Sequence, residues 1–293
     1  MGRKKTSSQD RISAKSDVLA MNGRSTGTEH QQSATTCPRW VYIGLLFLSI
    51  APFVRAFAYG SIHLDDAEYI TDNAMVQSGL SPAAVWQAIF GFHHTNWHPL
   101  VWISYMAEVQ LFGLNLKVMH ATNILLHAAN SLFFFCWLAG ITGNWQRSVI
   151  AASLYAVHPQ HVESVVWLTE RKDVLSTFFL FLTLLLYTRY VKSPGPFHYF
   201  AALVAFGLGL SAKGMLVTLP LLMLFLDYWP YERLLLNASH QNRIRLRKLF
   251  LEKVPFFGLS ASIAVLTVMA QQGATASVKV NEMKSMKTRQ ALP

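Results

Sequence analysis

Residues 174–191 read VLSTFFLFLTLLLYTRYV, a run in which Arg189 is the only charge. The block is almost all Leu, Phe and Thr, apolar on every side, and long enough to cross a bilayer as one helix. Similar blocks flank it. Trp40–Tyr59 forms an earlier one, His120–Gly140 another, and Val254–Ala270 the last. A further block starts near Arg147 and is interrupted at His158-Pro159-Gln160-His161-Val162-Glu163. The stretch 197–229 is broken at Ser211-Ala212-Lys213-Gly214. Read as one tilted span, this stretch would put the basic segment 231–253 outside the cell. Read as two short spans hinged at Lys213-Gly214, it keeps that segment inside, as positive loops require. The chain is therefore expected to be an all-α, polytopic membrane helix bundle of about seven spans.

Composition agrees. Of 293 residues, 52% are hydrophobic and only 14% charged, with mean hydropathy +0.29. Soluble domains carry about 25% charge, so an ordinary cytosolic enzyme is disfavoured. Two cysteines, Cys37 and Cys136, exclude a disulfide framework and a cysteine-rich zinc module. The net charge of +10 is concentrated beside apolar segments, in 1–39 and 231–253. That is the pattern of cytoplasmic loops and not of a nucleic-acid-binding face. Residues 1–38 read as a disordered cytoplasmic tail, 39–272 as the transmembrane domain and 273–293 as a polar C-terminal tail. The first apolar block follows a long polar leader and reads as an uncleaved anchor, leaving the N-terminus cytoplasmic.

Between the first two spans lies a large extracytoplasmic loop, Gly60 to about Val118. Ser81-Pro82 starts a short helix within it, to Phe90, with Ser81 as cap and proline at the first turn. A second helix runs from Pro99 to Gly113. Its Trp97, Trp102 and Tyr105 suit the headgroup zone, so it is expected to lie on the membrane.

This topology brings three polar clusters to one side: Asp65-Asp66 with Glu68, the His93-His94-Thr95-Asn96-Trp97-His98 group, and Glu170-Arg171-Lys172-Asp173. Neighbouring carboxylates can divide the work of general base and orienting group, although an Asp-Asp pair also suits a hydrated turn. Arg171 and Lys172 are natural partners for a phosphate or, equally, interfacial anchors. Lys213 in the hinge is a second phosphate candidate. His158, His161 and Glu163 sit at spacings that do not share a helix face, and Pro159 breaks the helix, so they read as cavity-lining polar groups before metal ligands. His120 and His127, seven apart, suit structural bonding within the bundle. The sequon at Asn237-Ala238-Ser239 falls in a cytoplasmic loop and should be silent.

Several strings occur together in a recognisable order. They are Leu64-Asp65-Asp66-Ala67-Glu68-Tyr69-Ile70 with Asn73, Asn96-Trp97-His98-Pro99-Leu100, Leu111-Phe112-Gly113-Leu114 and His120-Ala121-Thr122-Asn123 through Leu126-His127. His158-Pro159-Gln160-His161-Val162-Glu163-Ser164-Val165, Glu170-Arg171-Lys172-Asp173, Leu226-Asp227-Tyr228-Trp229 and Glu252-Lys253-Val254-Pro255-Phe256-Phe257 follow. In order and spacing residues 40–272 resemble the membrane domain of the transmembrane and tetratricopeptide-repeat protein O-mannosyltransferases and their bacterial relatives, which are GT-C type glycosyltransferases. Against that family the chain reads as truncated, an N-terminal module without the usual C-terminal repeats.

The resemblance implies transfer of a sugar, with mannose first in line, from a polyprenyl-phosphate carrier to an extracytoplasmic hydroxyl acceptor such as protein Ser or Thr. It aligns the family's acidic motif with Asp65 and Asp66, Asp65 being favoured as the base, and it calls for no metal and no other cofactor. Around the pair, His98, His161, Glu163, Arg171, Lys172, Asp173 and Lys213 are the candidate substrate-binding residues. The alternatives are an inactive module that binds a lipid or protein partner, and a small transporter using the His158–Glu163 break. The bacterial inner membrane is favoured over the endoplasmic reticulum.

Overall fold

The computed structural model describes residues 37–61, 65–91, 97–233 and 240–290. The tail to residue 36, the His93–Asn96 segment and the Asn237–Ser239 sequon lie outside the described residues, as do the side chains of 273–290. Among the described residues all regular structure is helical. The chain is an all-α membrane bundle.

Helix α1, Arg39–Ile50, continues as a 3₁₀ segment, Ala51–Ala58. The change of winding falls at Pro52, which has no N–H and whose ring crowds the preceding turn. Next come α2 (Ala74–Gln77), α3 (Pro82–Phe90) and α4 (Pro99–Phe112). Asn73 caps α2 by accepting from the N–H groups of Met75 and Val76, and Ser81 caps α3 through Ala84 N–H, with Pro82 in its first turn. Helix α5, Leu116–Thr142, ends at Gly143, whose φ of 65° favours glycine, and Asn144 caps α6, Trp145–Ala156. With only Gly143 and Asn144 between them, α5 and α6 form an antiparallel hairpin. Then follow α7 (His161–Val166), a 3₁₀ turn (Leu168–Glu170), α8 (Arg171–Lys192) and α9 (Pro196–Ala212). Lys213 is extended, and a 3₁₀ turn at Gly214–Thr218 leads into α10, Leu219–Tyr228. Helix α11 covers His240–Gln290.

Among the described residues four helical stretches are long and apolar enough to cross a membrane: Arg39–Ala58, Leu116–Thr142, Leu168–Lys192 and Leu246–Gln272. The expected third span is not one helix. Its first part, α6, holds 12 residues, about 18 Å against ~30 Å of hydrocarbon, before the break at Val157–Gln160. The expected fifth and sixth spans are the shorter apolar helices Pro196–Ala212 and Gly214–Tyr228.

Helix α8 is central, packed against α5 on one side and α9 on the other. Gly209 makes the second packing possible. A Cβ there would stand 3.0 Å from Phe179 Cβ and 2.5 Å from Leu216 Cδ2, so a side chain at this position would have to push the Leu216 tip aside and shift Phe179.

Trp102 and Tyr105 of α4 do not face outward as interfacial anchors would. Trp102 is stacked on Tyr69 with ring centroids 4.8 Å apart, and the buried Tyr105 donates its hydroxyl to Leu168 O at 2.7 Å. These rings face the core because the loop helices fold back over the start of α8. There Val101, Trp102, Tyr105 and Met106 form one cluster with Tyr69, Met119, Leu168 and Ala212.

Candidate functional site

The site is assembled where α4, α5 and α8 begin and where α9 ends. The 3₁₀ turn before α8 presents Thr169 N–H to Asp66 Oδ1 at 3.2 Å. That contact ties the acidic segment after α1 to the Glu170–Asp173 segment 103 residues later. Asp66 is 1% exposed, while the adjacent Asp65 faces solvent. The two carboxylates therefore do different work. Asp66 anchors the segment, and Asp65 stands open beside it. Asp65 O also accepts Tyr69 N–H at 2.9 Å, which starts the wide helical turn Ala67–Thr71.

Arg171 and Lys172, adjacent in sequence, separate completely. The Arg171 guanidinium is 0% exposed. Its Nε donates to Asn123 Oδ1 at 2.9 Å, its Nη2 to Met119 O at 3.0 Å and its Nη1 to Ser104 Oγ at 3.4 Å. Nη1 also meets Glu108 Oε2 at 2.8 Å, and the group lies 4.4 Å from the centre of the Tyr105 ring. Every nitrogen is engaged within the protein, so Arg171 is a hub joining α4, α5 and α8 and is not exposed to a substrate phosphate. Lys172 remains near the opening. It pairs with Glu170 Oε1 at 2.8 Å and lies 5.9 Å from the Tyr69 ring centre.

Across from it, Lys213 reaches from the α9 break to Asp173 Oδ1, whose other oxygen accepts from Ser164 Oγ at 3.3 Å. His98, at the start of α4, is mostly buried between these groups, and its Nδ1 has no hydrogen-bond partner. Burial, then the charges of Lys172 and Lys213, push its pKa down to about 4, with Asp173 and a hydrogen bond to the Trp97 backbone pulling the other way. The imidazole is thus neutral at ordinary pH and offers an unused ring nitrogen beside two ammonium groups.

The remaining two predicted residues stand apart from this group. His161 packs its ring 4.4 Å from Tyr155 and 5.1 Å from His127, whose Nε2 is 3.0 Å from Ala156 O. Glu163 is exposed on α7. Among the described residues no three of His, Cys, Asp or Glu are arranged to hold a metal ion.

Sequence reasoning missed Glu108, Asn123, Ser104 and Ser164. Glu108 carried a signal as a carboxylate inside an apolar helix, and Asn123 and Ser164 stood only within the strings of the family resemblance. Below the site an apolar groove of about 560 Å³ runs between α8 and α9, lined by Phe179, Leu182, Leu186, Phe200, Val204 and Leu208 among others. Phe179 lies six residues beyond Asp173, and Leu208 five before Lys213.

Residues 98–268, more than half the chain, match the family described as dolichyl-phosphate-mannose-protein mannosyltransferase. The protein O-mannosyl-transferase TMTC4 of Mus musculus is 29% identical over 188 residues, 57% of this chain and 25% of its own length. TMTC2 of Mus musculus, also named a protein O-mannosyl-transferase, is 31% identical over 102 residues, 35% of this chain and 12% of its own. The Caenorhabditis elegans protein O-mannosyl-transferase F38B6.6 is 27% identical over 155 residues, 50% and 22% of the two chains. This chain spans a quarter or less of the length of these curated relatives. No solved structure matches it.

Proposed function

The chain belongs to the dolichyl-phosphate-mannose-protein mannosyltransferase family, and from that membership we propose that it transfers a sugar from a polyprenyl-phosphate carrier to a hydroxyl acceptor at the extracytoplasmic face. Mannose is the first sugar to try and a protein Ser or Thr the first acceptor. The observation that carries this reading is the contact from Thr169 N–H to Asp66, which ties the segment bearing the exposed Asp65 to the turn that leads into Lys172 and Asp173.

In the proposed step Asp65 takes the proton from the acceptor hydroxyl as its oxygen attacks the anomeric carbon in line. The bond from that carbon to the phosphate oxygen breaks, its electron pair leaves with the lipid phosphate, and the anomeric centre inverts. In this reading Lys172 and Lys213 offset the charge on the departing phosphate, Lys213 by exchanging its Asp173 partner for a phosphate oxygen. His98 Nδ1 is free to bond a sugar hydroxyl. The groove between α8 and α9 supports a polyprenyl tail, since it is apolar along its length and runs from the lysine end.

The test is sugar release from labelled polyprenyl-phosphate-mannose by the full chain in lipid vesicles. Asp65→Asn should lower turnover about 10²–10⁴-fold, the usual contribution of a positioned base. Asp66→Asn keeps an acceptor oxygen for Thr169 N–H and should lower it less. Undiminished turnover in Asp65→Asn would sink the assignment. Donor retention by the wild type without turnover would move the reading to a binding module.

A further inference from the structure

Helix α8 holds 22 residues, about 33 Å, and at its far end from Asp65 a second cavity opens. It measures about 810 Å³ and is lined by Tyr190, Glu232, Arg233, Lys248, Leu251 and Glu252 among others. Tyr190 stands in the last turn of the apolar stretch Leu168–Lys192. Lys248, Leu251 and Glu252 belong to the first two turns of the apolar stretch Leu246–Gln272. Two membrane helices thus end at this cavity, which puts it at the depth of lipid headgroups.

Two of its four lining charges, Arg233 and Glu252, are already paired. Arg233 meets Glu252 Oε2 at 2.9 Å and Asp227 Oδ1 at 3.0 Å, and Lys253 meets Asp227 Oδ2 at 2.5 Å. Two cations and two anions cancel. What remains is Glu232 and Lys248, both exposed and without an ion-pair partner among the described residues. The backbone turns at Glu232, which has φ of 50°. Leu251 is exposed, and Tyr190 forms part of the wall.

One free ammonium, one free carboxylate and an apolar flank match a ligand carrying one phosphate, one ammonium and hydrocarbon chains. We propose that this cavity binds the headgroup of a zwitterionic phospholipid with a primary ammonium, of the phosphatidylethanolamine type. Lys248 takes the phosphate, Glu232 takes the ammonium, and the acyl chains lie along Leu251. A choline headgroup has no N–H to give to Glu232, and a glycerol headgroup has no positive charge for it. This site is independent of the transfer reaction proposed at the other end of α8.

The full chain, stripped of lipid in detergent, is titrated with dioleoyl phosphatidylethanolamine, phosphatidylcholine or phosphatidylglycerol, and with soluble glycerophosphoethanolamine, and bound species are counted by native mass spectrometry. Phosphatidylethanolamine should bind best. Lys248→Gln and Glu232→Gln should each weaken it about tenfold, the loss of one charge-assisted hydrogen bond. Arg247 is exposed beside Lys248 and does not line the cavity, so Arg247→Gln should change nothing. Both cavity positions are at the surface, and unchanged melting temperatures will show that the variants fold. Equal binding of phosphatidylglycerol, or an equal loss in Arg247→Gln, would reduce the effect to general surface charge and overturn the proposal. Equal binding of the soluble headgroup would overturn the lipid assignment.

Discussion

Within the candidate site, neighbouring residues have opposite fates, and only some of this was legible in the sequence. Arg171 and Lys172 read as a basic pair for phosphate, yet successive residues on a helix point about 100° apart. Which of the two turned inward depended on Glu108, Asn123 and Ser104, 48 to 67 residues away. Arg171→Lys is therefore expected to be far from conservative: it loses the forked donor set, strands Asn123 and Met119 O, and should destabilise the protein by about 3 kcal/mol or more. A thermal melt in nanodiscs checks this, and a loss of less than about 1 kcal/mol would refute the hub. His98 makes a prediction in pH. The unfolded chain binds a proton at His98 near ~6.5, whereas the folded site holds its pKa down to about 4. The folded state thus binds fewer protons in that window, so this stability is whole above ~6.5 and is lost as pH falls toward 4. Melting temperature should drop between pH 6.5 and 4.5 in the wild type and drop less in His98→Gln. Parallel curves would show that the imidazole is not held neutral.

Among the elements, the apolar blocks were legible because each is long and nearly free of charge, and the hinge at Lys213 because a lysine followed by glycine interrupts one. The link between α10 and α11 was not. Asp227 and Lys253 appeared only as parts of familiar strings, and nothing in their spacing shows that they meet. In the folded chain both are 0% exposed, 2.5 Å apart, and Tyr187 of α8 donates its hydroxyl to the same carboxylate at 2.5 Å. Three helices are pinned at one buried charge, and such a pair is strongly destabilising to break from one side. Lys253→Met should lower stability by about 3–5 kcal/mol. The double change Lys253→Met with Asp227→Leu, which leaves no bare carboxylate, should recover part of that. The comparison is made by denaturant-induced loss of helix signal, and a double variant no better than the single would show that the apolar replacement packs badly there.

At the level of the whole molecule, the charge pattern predicts a direction for each span. Among the described residues the contacts order the chain as seven passes between two ends. Trp40 of α1 lies 6.5 Å from Trp145 at the far end, and Phe53 lies 5.2 Å from His127 on the way toward the site. Helix α5 starts at the site, where Met119 O accepts from Arg171, and ends at Gly143, so the segment through α6 and α7 must return to reach Arg171. Helix α9 comes back to Lys213 and Asp173, α10 descends to Asp227, and α11 climbs until Thr267 lies beside Gly214. Four of these traverses are single long apolar helices, and the other three are shorter or broken pieces that need their neighbours to cross. If all seven cross the bilayer, the two ends of α8 face opposite compartments. Single cysteines introduced in a Cys37→Ala, Cys136→Ala background test this in sealed vesicles of known orientation. Leu80→Cys, exposed in the loop helices over the site, should react with an impermeant maleimide from the extracytoplasmic side. Arg147→Cys and Arg247→Cys, at the other end, should react only after the membrane is opened. Labelling of Arg147→Cys and Arg247→Cys from opposite sides would mean that one of the three short or broken passes, 145–166, 196–212 or 214–228, does not cross, and the reading of seven spans would fail.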